Sequence, residues 1–372
     1  MIKDKNKTKK MINNFIVPVM FLVIIIIAIP LSGFSMPYLT EQVVTRLARN
    51  AFLVISLILP IMAGMGINFG MTLGAMAGQI GLIFITDWGV TGIPGLLLAM
   101  AVSTPIAILL GQFAGRVLNR VKGKEMITSM MLSFFISGIY LAFTLYICGS
   151  IIPFKNPSLI LSRGYGVRNA LTLDIAGGFD NFFDKLLGVD ISIGGVHIPI
   201  LTFLIIALVC VFTQWFKKTK LGQDMRAVGQ DMKVADNAGI NVEKVRIQSI
   251  VISTVLAAYG QIIYLQNIGT LNTYNGADQA ALFAAAALLI GGATVSKATI
   301  TNALVGTVLF HLMFIVMPAA GKNVTGQAML GEYFRTFISY AIVTITLVIH
   351  SWKRSKEKEL DRESLRLSNE NK

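Results

Sequence analysis

Charged side chains are concentrated in one internal segment of an otherwise apolar chain, Leu221 to Arg246. They include Asp224, Arg226, Asp231, Lys233, Asp236, Glu243 and Lys244. Between them, small or apolar residues recur at spacings near three and four: Ala227, Val228, Val234, Ala235, Ala238 and Ile240. This spacing predicts short helices that carry one apolar face, which a groove on a soluble partner could bind. A solvated loop that merely joins two apolar segments is the alternative interpretation.

Glycines divide this segment into smaller elements. Gly222, Gly229 and Gly239 predict a short helix, a turn and a second short helix, with Gly239 at the C-cap position. A short amphipathic helix held outside the membrane would be a contact surface for a soluble subunit.

The run from Ala227 to Val242, AVGQDMKVADNAGINV, resembles the cytoplasmic coupling loop of the ribose/galactose-type permeases of ABC importers. That family includes nucleoside permeases and is related to branched-chain amino acid permeases. A second run, Ala284 to Ala293 followed by Asn302 to Gly306, is similar to the family's glycine-rich penultimate hairpin. The resemblance implies that the residues contacting an ATPase are Ala227, Gly229, Gln230, Asp231, Val234, Ala235, Ala238, Gly239 and Ile240.

The resemblance also implies a set of partners. These are two cytoplasmic ATP-binding subunits, an extracytoplasmic solute-binding protein, and a second permease copy in a homodimer or heterodimer. It implies no cofactor. Two places depart from the sugar permeases: Gly66 to Gly70 reads GINFG instead of G-x-D-L-S-x-G, and Val295 to Ala298 replaces a glycine cluster. The solute class therefore stays open between a sugar or nucleoside and a branched-chain amino acid.

Composition independently indicates a membrane protein. Hydrophobic residues make up 54% of the chain and charged residues 14%, and mean hydropathy is +0.69. We expect an all-α integral membrane protein of about ten transmembrane helices with an inner coupling loop. The predicted spans are Phe15–Leu31, Ala51–Ile67, Gly70–Ile85, Ile93–Gly115, Met126–Ile151, Ile198–Phe216, Ile247–Ile268, Gln279–Val295, Thr299–Met317 and Phe334–Trp352.

These spans define the predicted domain organisation. A basic cytoplasmic tail covers residues 1–14, a transmembrane permease domain covers 15–352, and a charged cytoplasmic tail covers 353–372. The domain contains an outer loop at 152–196 and the cytoplasmic coupling loop at 217–246. We expect the first apolar run to be retained as a span, because it reaches Leu31 and no A-x-A cleavage pattern follows.

The distribution of positive charge predicts the orientation. With the N-terminus inside, 24 of the 32 lysines and arginines lie in inner segments, as expected for the cytoplasmic side. We therefore expect a multi-pass protein of the bacterial inner membrane with both termini cytoplasmic. The net charge of +13 is then explained without nucleic-acid binding.

The chemistry missing from the sequence limits its function. There is no phosphate-binding glycine loop, no His/Cys metal cluster and no Ser-His-Asp set. The chain is therefore expected to be a transport subunit rather than the ATPase, and a motor-independent channel or facilitator is the alternative. The predicted spans carry no Asp, Glu, Lys or Arg centrally, which favours a neutral solute. Candidate contacts in the translocation path are Asn68, Gln79, Gln261, Gln266 and Asn302.

Glycine recurs every fourth residue at Gly66, Gly70, Gly74 and Gly78. One interpretation is close packing of helices, which small residues permit. The other is a break or re-entrant turn between Ile67 and Gly70 that lines the path.

Overall fold

The computed structural model describes residues 2–173, 192–193 and 196–327, with scattered helical residues between 329 and 348; side chains are described for 17–173 and 198–327, and for those scattered residues. The helices are α1 (Ile2–Ser32), α2 (Met36–Ser56), α3 (Ile58–Met62), α4 (Met71–Trp88), α5 (Gly92–Arg120), α6 (Glu125–Ala142), α7 (Ile200–Phe216), α8 (Lys220–Gln230), α9 (Met232–Asn237), α10 (Val242–Ile268), α11 (Gly276–Ile290) and α12 (Ile300–Thr325). The strands are β1 (Ala170–Thr172), β2 (Ser192–Ile193), β3 (Val196–His197) and β4 (Thr270–Asn272), and short π and 3-10 turns cover Phe143–Ile147 and Pro157–Leu159.

The described helices confirm a helical membrane protein and confirm only part of the predicted span count. Five are long and apolar enough to cross a bilayer, or six if α7 and α8, bent by 73°, form one broken span. The apolar parts of α1 and α11 are shorter. The tenth predicted span, Phe334–Trp352, lies largely outside the described residues. The count of ten therefore stays a prediction.

The chain divides into two compact units, residues 1–33 with 313–372, and residues 34–312. In the first, Asn323 near the end of α12 donates hydrogen bonds to the backbone carbonyls of Leu31 and Ser32, at 3.1 and 3.0 Å. The end of α1 is thereby tied to the end of α12.

The core of the larger unit is built around α10, which packs against α2, α4 and α5. Glycines allow these backbones to meet closely. A Cβ on Gly74 would overlap the carbonyl oxygen of Thr254, and a Cβ on Gly78 would lie 2.6 Å from that of Ala258. The second half of the glycine repeat therefore serves helix packing, as one interpretation expected.

Both predicted boundaries of the second span, Ala51–Ile67, are wrong. The second span begins at Met36 rather than Ala51, because Pro37 starts a helix that continues through the polar residues Arg46 and Arg49. It ends at Met62, and residues 63–70 are not helical before α4 begins. The break that one sequence interpretation predicted between Ile67 and Gly70 is therefore confirmed as a non-helical segment. That it lines the path stays a prediction.

The described part of the outer loop is folded against the rest of the larger unit. Strand β1 pairs antiparallel with β4, which follows α10 directly. The buried carboxylate of Asp87, near the end of α4, accepts hydrogen bonds from the backbone N–H groups of Lys155 and Asn156, at 2.7 and 2.9 Å. Residues 174–191 of the predicted loop lie outside the described residues.

Candidate functional site

Helices α8 and α9 occupy the predicted coupling loop, and both helix starts and the end of α9 are capped. Thr219 accepts the N–H of Gly222 at the start of α8, and Asp231 accepts the N–H groups of Lys233 and Val234 at the start of α9. Gly239, with φ of +81°, ends α9 in the left-handed conformation. Its N–H bonds to the Asp236 carbonyl and the next N–H bonds to that of Ala235, which is a Schellman ending.

The predicted helix–turn–helix therefore has slightly different boundaries. Gly222 and Gly229 both lie inside α8, and only Gly239 serves as a terminator. The turn between the helices is the single residue Asp231, which ends α8 and caps α9. Burial lowers the pKa of Lys217, before α8, and repulsion from Arg226 lowers it further.

The small and apolar residues of this segment do not share one exposed face. Val228 and Ala235 are 1% and 3% exposed, packed in a core cluster with Leu59, Met225 and other apolar residues of this chain. By contrast Val234 is 65% exposed, although valine is apolar. Ala238 and Gly239 are also exposed. The outer surface available to a partner therefore consists of Val234, Ala238 and Gly239, flanked by the exposed residues Gln230, Asp231, Lys233, Asp236 and Asn237.

Helix α8 touches the end of α3 through a glycine pair. A Cβ on Gly229 would overlap the carbonyl oxygen of Met62, and a Cβ on Gly64 would lie 2.9 Å from the Cα of Gly229. Gly64 has φ of +75°, a conformation that favours glycine. Motion of α8 toward α3 would therefore press on the start of the non-helical segment 63–70.

This non-helical segment, which we call the broken segment, is fixed by side chains of α6. The N–H of Phe69 donates to the hydroxyl of Ser129, and the hydroxyl of Ser133 donates to the Phe69 carbonyl, at 3.1 and 2.7 Å. Asn68 is 2% exposed and accepts the N–H of Gly70. Hydroxyl and amide groups thus satisfy backbone that has left the helix, as an apolar environment requires.

The middle of the broken segment meets the loop between α11 and α12. A Cβ on Gly66 would lie 2.8 Å from Cγ1 of Val295. In the same hairpin, Gly291 and Gly306 let α11 and α12 touch, because a Cβ on either would overlap a backbone carbonyl of the other helix region. A continuous set of contacts therefore joins α8, the broken segment and the α11–α12 hairpin.

A buried ion pair, which the sequence interpretation missed, joins the start of α10 to the start of α6. Nη2 of Arg246 lies 2.5 Å from Oε1 of Glu125, with side chains 0% and 9% exposed. Nη1 of Arg246 also contacts the sulfur of Met232 in α9. Each of the two charged residues precedes a predicted span by one position, and that opposite-charge placement was the available sequence signal.

The five candidate path amides lie in four different elements. Gln79 in α4 is fully buried, accepts a hydrogen bond from the Tyr140 hydroxyl and donates to the Asn272 carbonyl, at 2.9 and 3.3 Å. Gln261 and Gln266 in α10 are also fully buried. Asn68 lies in the broken segment, as described above.

Asn302, the fifth amide, forms hydrogen bonds that stabilise the start of α12 and its contact with the end of α11. It forms a capping box with Thr299 at the start of α12 and donates to the Gly291 carbonyl at 2.6 Å.

Ionisable residues enter the described helices more deeply than the sequence interpretation expected. Arg46 and Arg49 lie within the candidate span Met36–Met62. The guanidinium of Arg49 lies over the ring of Tyr264, 5.9 Å from its centroid. In the first turn of α11, Asp278 accepts a hydrogen bond from Ser137. The expectation that spans lack central charges was wrong for α2, because its start was placed too late.

Among the described residues no metal-binding cluster of His, Cys, Asp or Glu occurs.

Residues 39–349 match the family described as branched-chain amino acid transport system / permease component. The autoinducer 2 import system permease protein LsrD of Photorhabdus laumondii is 25% identical over 297 residues, covering 78% of this chain and 79% of LsrD. The galactose/methyl galactoside import permease protein MglC of Escherichia coli is 26% identical over 202 residues, covering 52% of this chain and 57% of MglC. No solved structure matches this chain.

Proposed function

This chain belongs to the family of branched-chain amino acid transport system permease components, and we propose that it is the membrane subunit of an ATP-driven importer. The resemblance seen in residues 227–242 is confirmed at the level of the family. The chain is thus a multi-pass transport subunit. The proposal adds that ATP-binding subunits dock on the surface formed by Val234, Ala238 and Gly239, and that hydrolysis occurs in those partners.

One observation carries the proposal: α8 and α9 pack against each other and into the core of this chain, while Val234 is left exposed. A solvated connecting loop has no need of an N-cap, a Schellman ending and an exposed valine on the same six-residue helix. An ATPase that moves α9 would move α8 with it. Through Gly229 and Gly64 this motion would reach the broken segment and the α11–α12 hairpin.

We propose a small neutral solute such as a sugar or nucleoside. The printed names of the relatives refer to autoinducer 2 and galactose or methyl galactoside. Buried amides and hydroxyls such as Gln79 and Tyr140 suit a neutral ligand that both donates and accepts hydrogen bonds. Arg46 and Arg49 lie in α2, so the membrane spans are not free of charged side chains. The proposal of a neutral solute therefore rests on the buried amides and hydroxyls. A branched-chain amino acid remains the second candidate, since the description of the matching family names branched-chain amino acid transport.

Further parts of the proposal concern the assembly. The chain pairs with a second permease copy, an extracytoplasmic solute-binding protein delivers the solute, and both termini lie in the cytoplasm of a bacterial cell with the permease in its inner membrane. These partners follow from the kind of importer proposed here.

The test of coupling substitutes the exposed valine. Val234→Asp should abolish co-purification of the ATP-binding subunits and solute-stimulated ATP hydrolysis, because a carboxylate replaces the apolar centre of the docking surface. Val324→Asp is the matched control, since that valine is 67% exposed and lies at the end of α12. Both variants should fold and insert alike. Wild-type co-purification and ATP hydrolysis in the Val234→Asp variant would favour the motor-independent facilitator instead.

A further inference from the structure

Two adjoining cavities lie where α5 meets α10, beside the coupling helices. The first, of about 430 Å³, is lined by four apolar residues, Leu221 of α8 with Ile247, Val251 and Ile252 of α10, and by the polar residues Gln112, Arg116 and Gln248. The second, of about 730 Å³, surrounds the end of α5 and the turn that follows it. Arg116 and Ile247 line both cavities, so the two are neighbours with a shared wall.

The second cavity is strongly basic. Arg116, Arg120, Lys122 and Lys124 line it against a single acidic side chain, Glu243. All four cations are exposed. In the described part of the chain none of them forms an ion pair, and the neighbouring buried pair consists of Arg246 and Glu125. Four cations gathered around one cavity would strongly favour an anionic ligand.

The basic cavity surrounds the charged turn that follows α5, and the apolar cavity lies beyond it, farther from that turn. Along α10, Val251 follows Ile247 by one helical turn, which places it about 6 Å farther along the axis. The polar-to-apolar direction therefore runs parallel to α5 and α10. A ligand that fills both cavities has an anionic head at the turn and an apolar tail along the helices.

We propose that these cavities bind one anionic phospholipid from the leaflet on the side of the coupling helices. Its phosphate would lie among Arg120, Lys122 and Lys124, and an acyl chain would lie against Val251 and Ile252. Basic cavities at the cytoplasmic ends of membrane helices are suited to lipid headgroups. A free phosphate ion would occupy the basic cavity alone and leave the apolar one without a role.

The lipid site adjoins the coupling machinery. Glu125 accepts the N–H of Gly123 through Oε2 at 2.8 Å, which holds the basic turn, and it pairs with Arg246 through Oε1. Arg246 in turn contacts Met232 of α9. A bound headgroup would neutralise the turn and steady α9. This consequence rests on the proposed function, whereas lipid binding itself does not.

The first experiment measures lipid retained by the purified full-length chain. In micelles that mix phosphatidylcholine with phosphatidylglycerol, native mass spectrometry should detect one phosphatidylglycerol per chain. The triple variant Arg120→Gln, Lys122→Gln, Lys124→Gln should retain it about tenfold less well or worse, given the contribution of each cation near a membrane surface. The control Lys218→Gln, Lys220→Gln, Lys233→Gln removes the same charge from exposed positions that line neither cavity and should retain the lipid.

The second experiment separates a lipid from a phosphate ion. Gln248→Trp on α10, or Gln112→Trp on α5, fills the apolar cavity and leaves the four cations in place. Either should lower phosphatidylglycerol retention. Unchanged retention in both, or complete displacement by inorganic phosphate at constant ionic strength, would overturn the lipid proposal. Equal loss in the control triple variant would also overturn it. Because no ATPase is present, these outcomes are independent of whether α9 binds one.

Discussion

Gly229 of α8 and Gly64 of the broken segment are in backbone contact, so closely that neither position has room for a Cβ. Gly229 has ordinary helical geometry, and in an open helix its replacement by alanine would stabilise the protein. Here the added methyl would overlap the carbonyl oxygen of Met62. Close packing therefore makes the replacement of Gly229 by alanine destabilising, although helix propensity alone predicts that it stabilises the protein.

The first prediction is that Gly229→Ala lowers the free energy of unfolding by about 1–3 kcal/mol, the usual cost of overpacking. It should also uncouple ATP hydrolysis from solute, because α8 is pushed away from the broken segment. Gly138→Ala is the control, since that glycine lies in α6 with open space around its Cβ position. Thermal unfolding of both variants in detergent would check the difference, and equal melting temperatures would refute the close contact.

The second prediction concerns the buried pair of Arg246 and Glu125. Glu125→Gln keeps an acceptor for the Gly123 N–H but leaves Arg246 charged and unpaired in the interior. Breaking such a pair costs about 3–5 kcal/mol. Adding Arg246→Met removes the unpaired charge, so the double variant should be more stable than Glu125→Gln alone. Denaturant unfolding of the two single variants and the double variant measures this coupling. Additive effects would mean that the two side chains act independently.

Hydropathy predicted the long apolar part of several helices. The predicted spans Ile93–Gly115 and Ile247–Ile268 fall within α5 and α10, with each helix extended at its polar end. The start of α2 could not be found in this way. Its polar part contains Glu41, Arg46 and Arg49, which become partly buried only when other helices pack beside them.

In the segment 221–246, the sequence likewise could not show which apolar residues are exposed to a partner. Periodicity indicated that Val228, Val234, Ala235 and Ala238 belong to apolar faces, but it could not tell which face this chain buries. The structure assigns Val228 and Ala235 to the chain's own core and leaves Val234 outside. The sequence marked Gly239 as a terminator because an end of α9 with positive φ needs glycine. The contact of Gly229 with Gly64 joins segments distant in sequence, and no local pattern encodes it.

The third prediction concerns orientation. Single cysteines at Lys122 and Lys233 should react with a membrane-impermeant thiol reagent only from the cytoplasmic side, and cysteines at Lys155 and Val324 only from outside. All four positions are exposed, so lack of labelling is not explained by burial. The background should lack Cys148 and Cys210. Opposite sidedness at any position would require a different number of spans before it.

The last prediction separates a path residue from a packing residue by the sign of a stability change. Gln261 is fully buried, and in the described part of the chain neither its amide nitrogen nor its amide oxygen has a hydrogen-bond partner. An unsatisfied buried amide costs about 1–3 kcal/mol, so Gln261→Met should raise the melting temperature. Gln79→Met should lower it, because Gln79 is bonded to Tyr140 and Asn272. If the Gln261 amide is kept for water or solute in the path, the more stable Gln261→Met variant will also lose ATP-driven uptake, measured with galactose, ribose, uridine and leucine in proteoliposomes. A lower melting temperature for Gln261→Met would show that the fold itself satisfies this amide, and would remove Gln261 from the path.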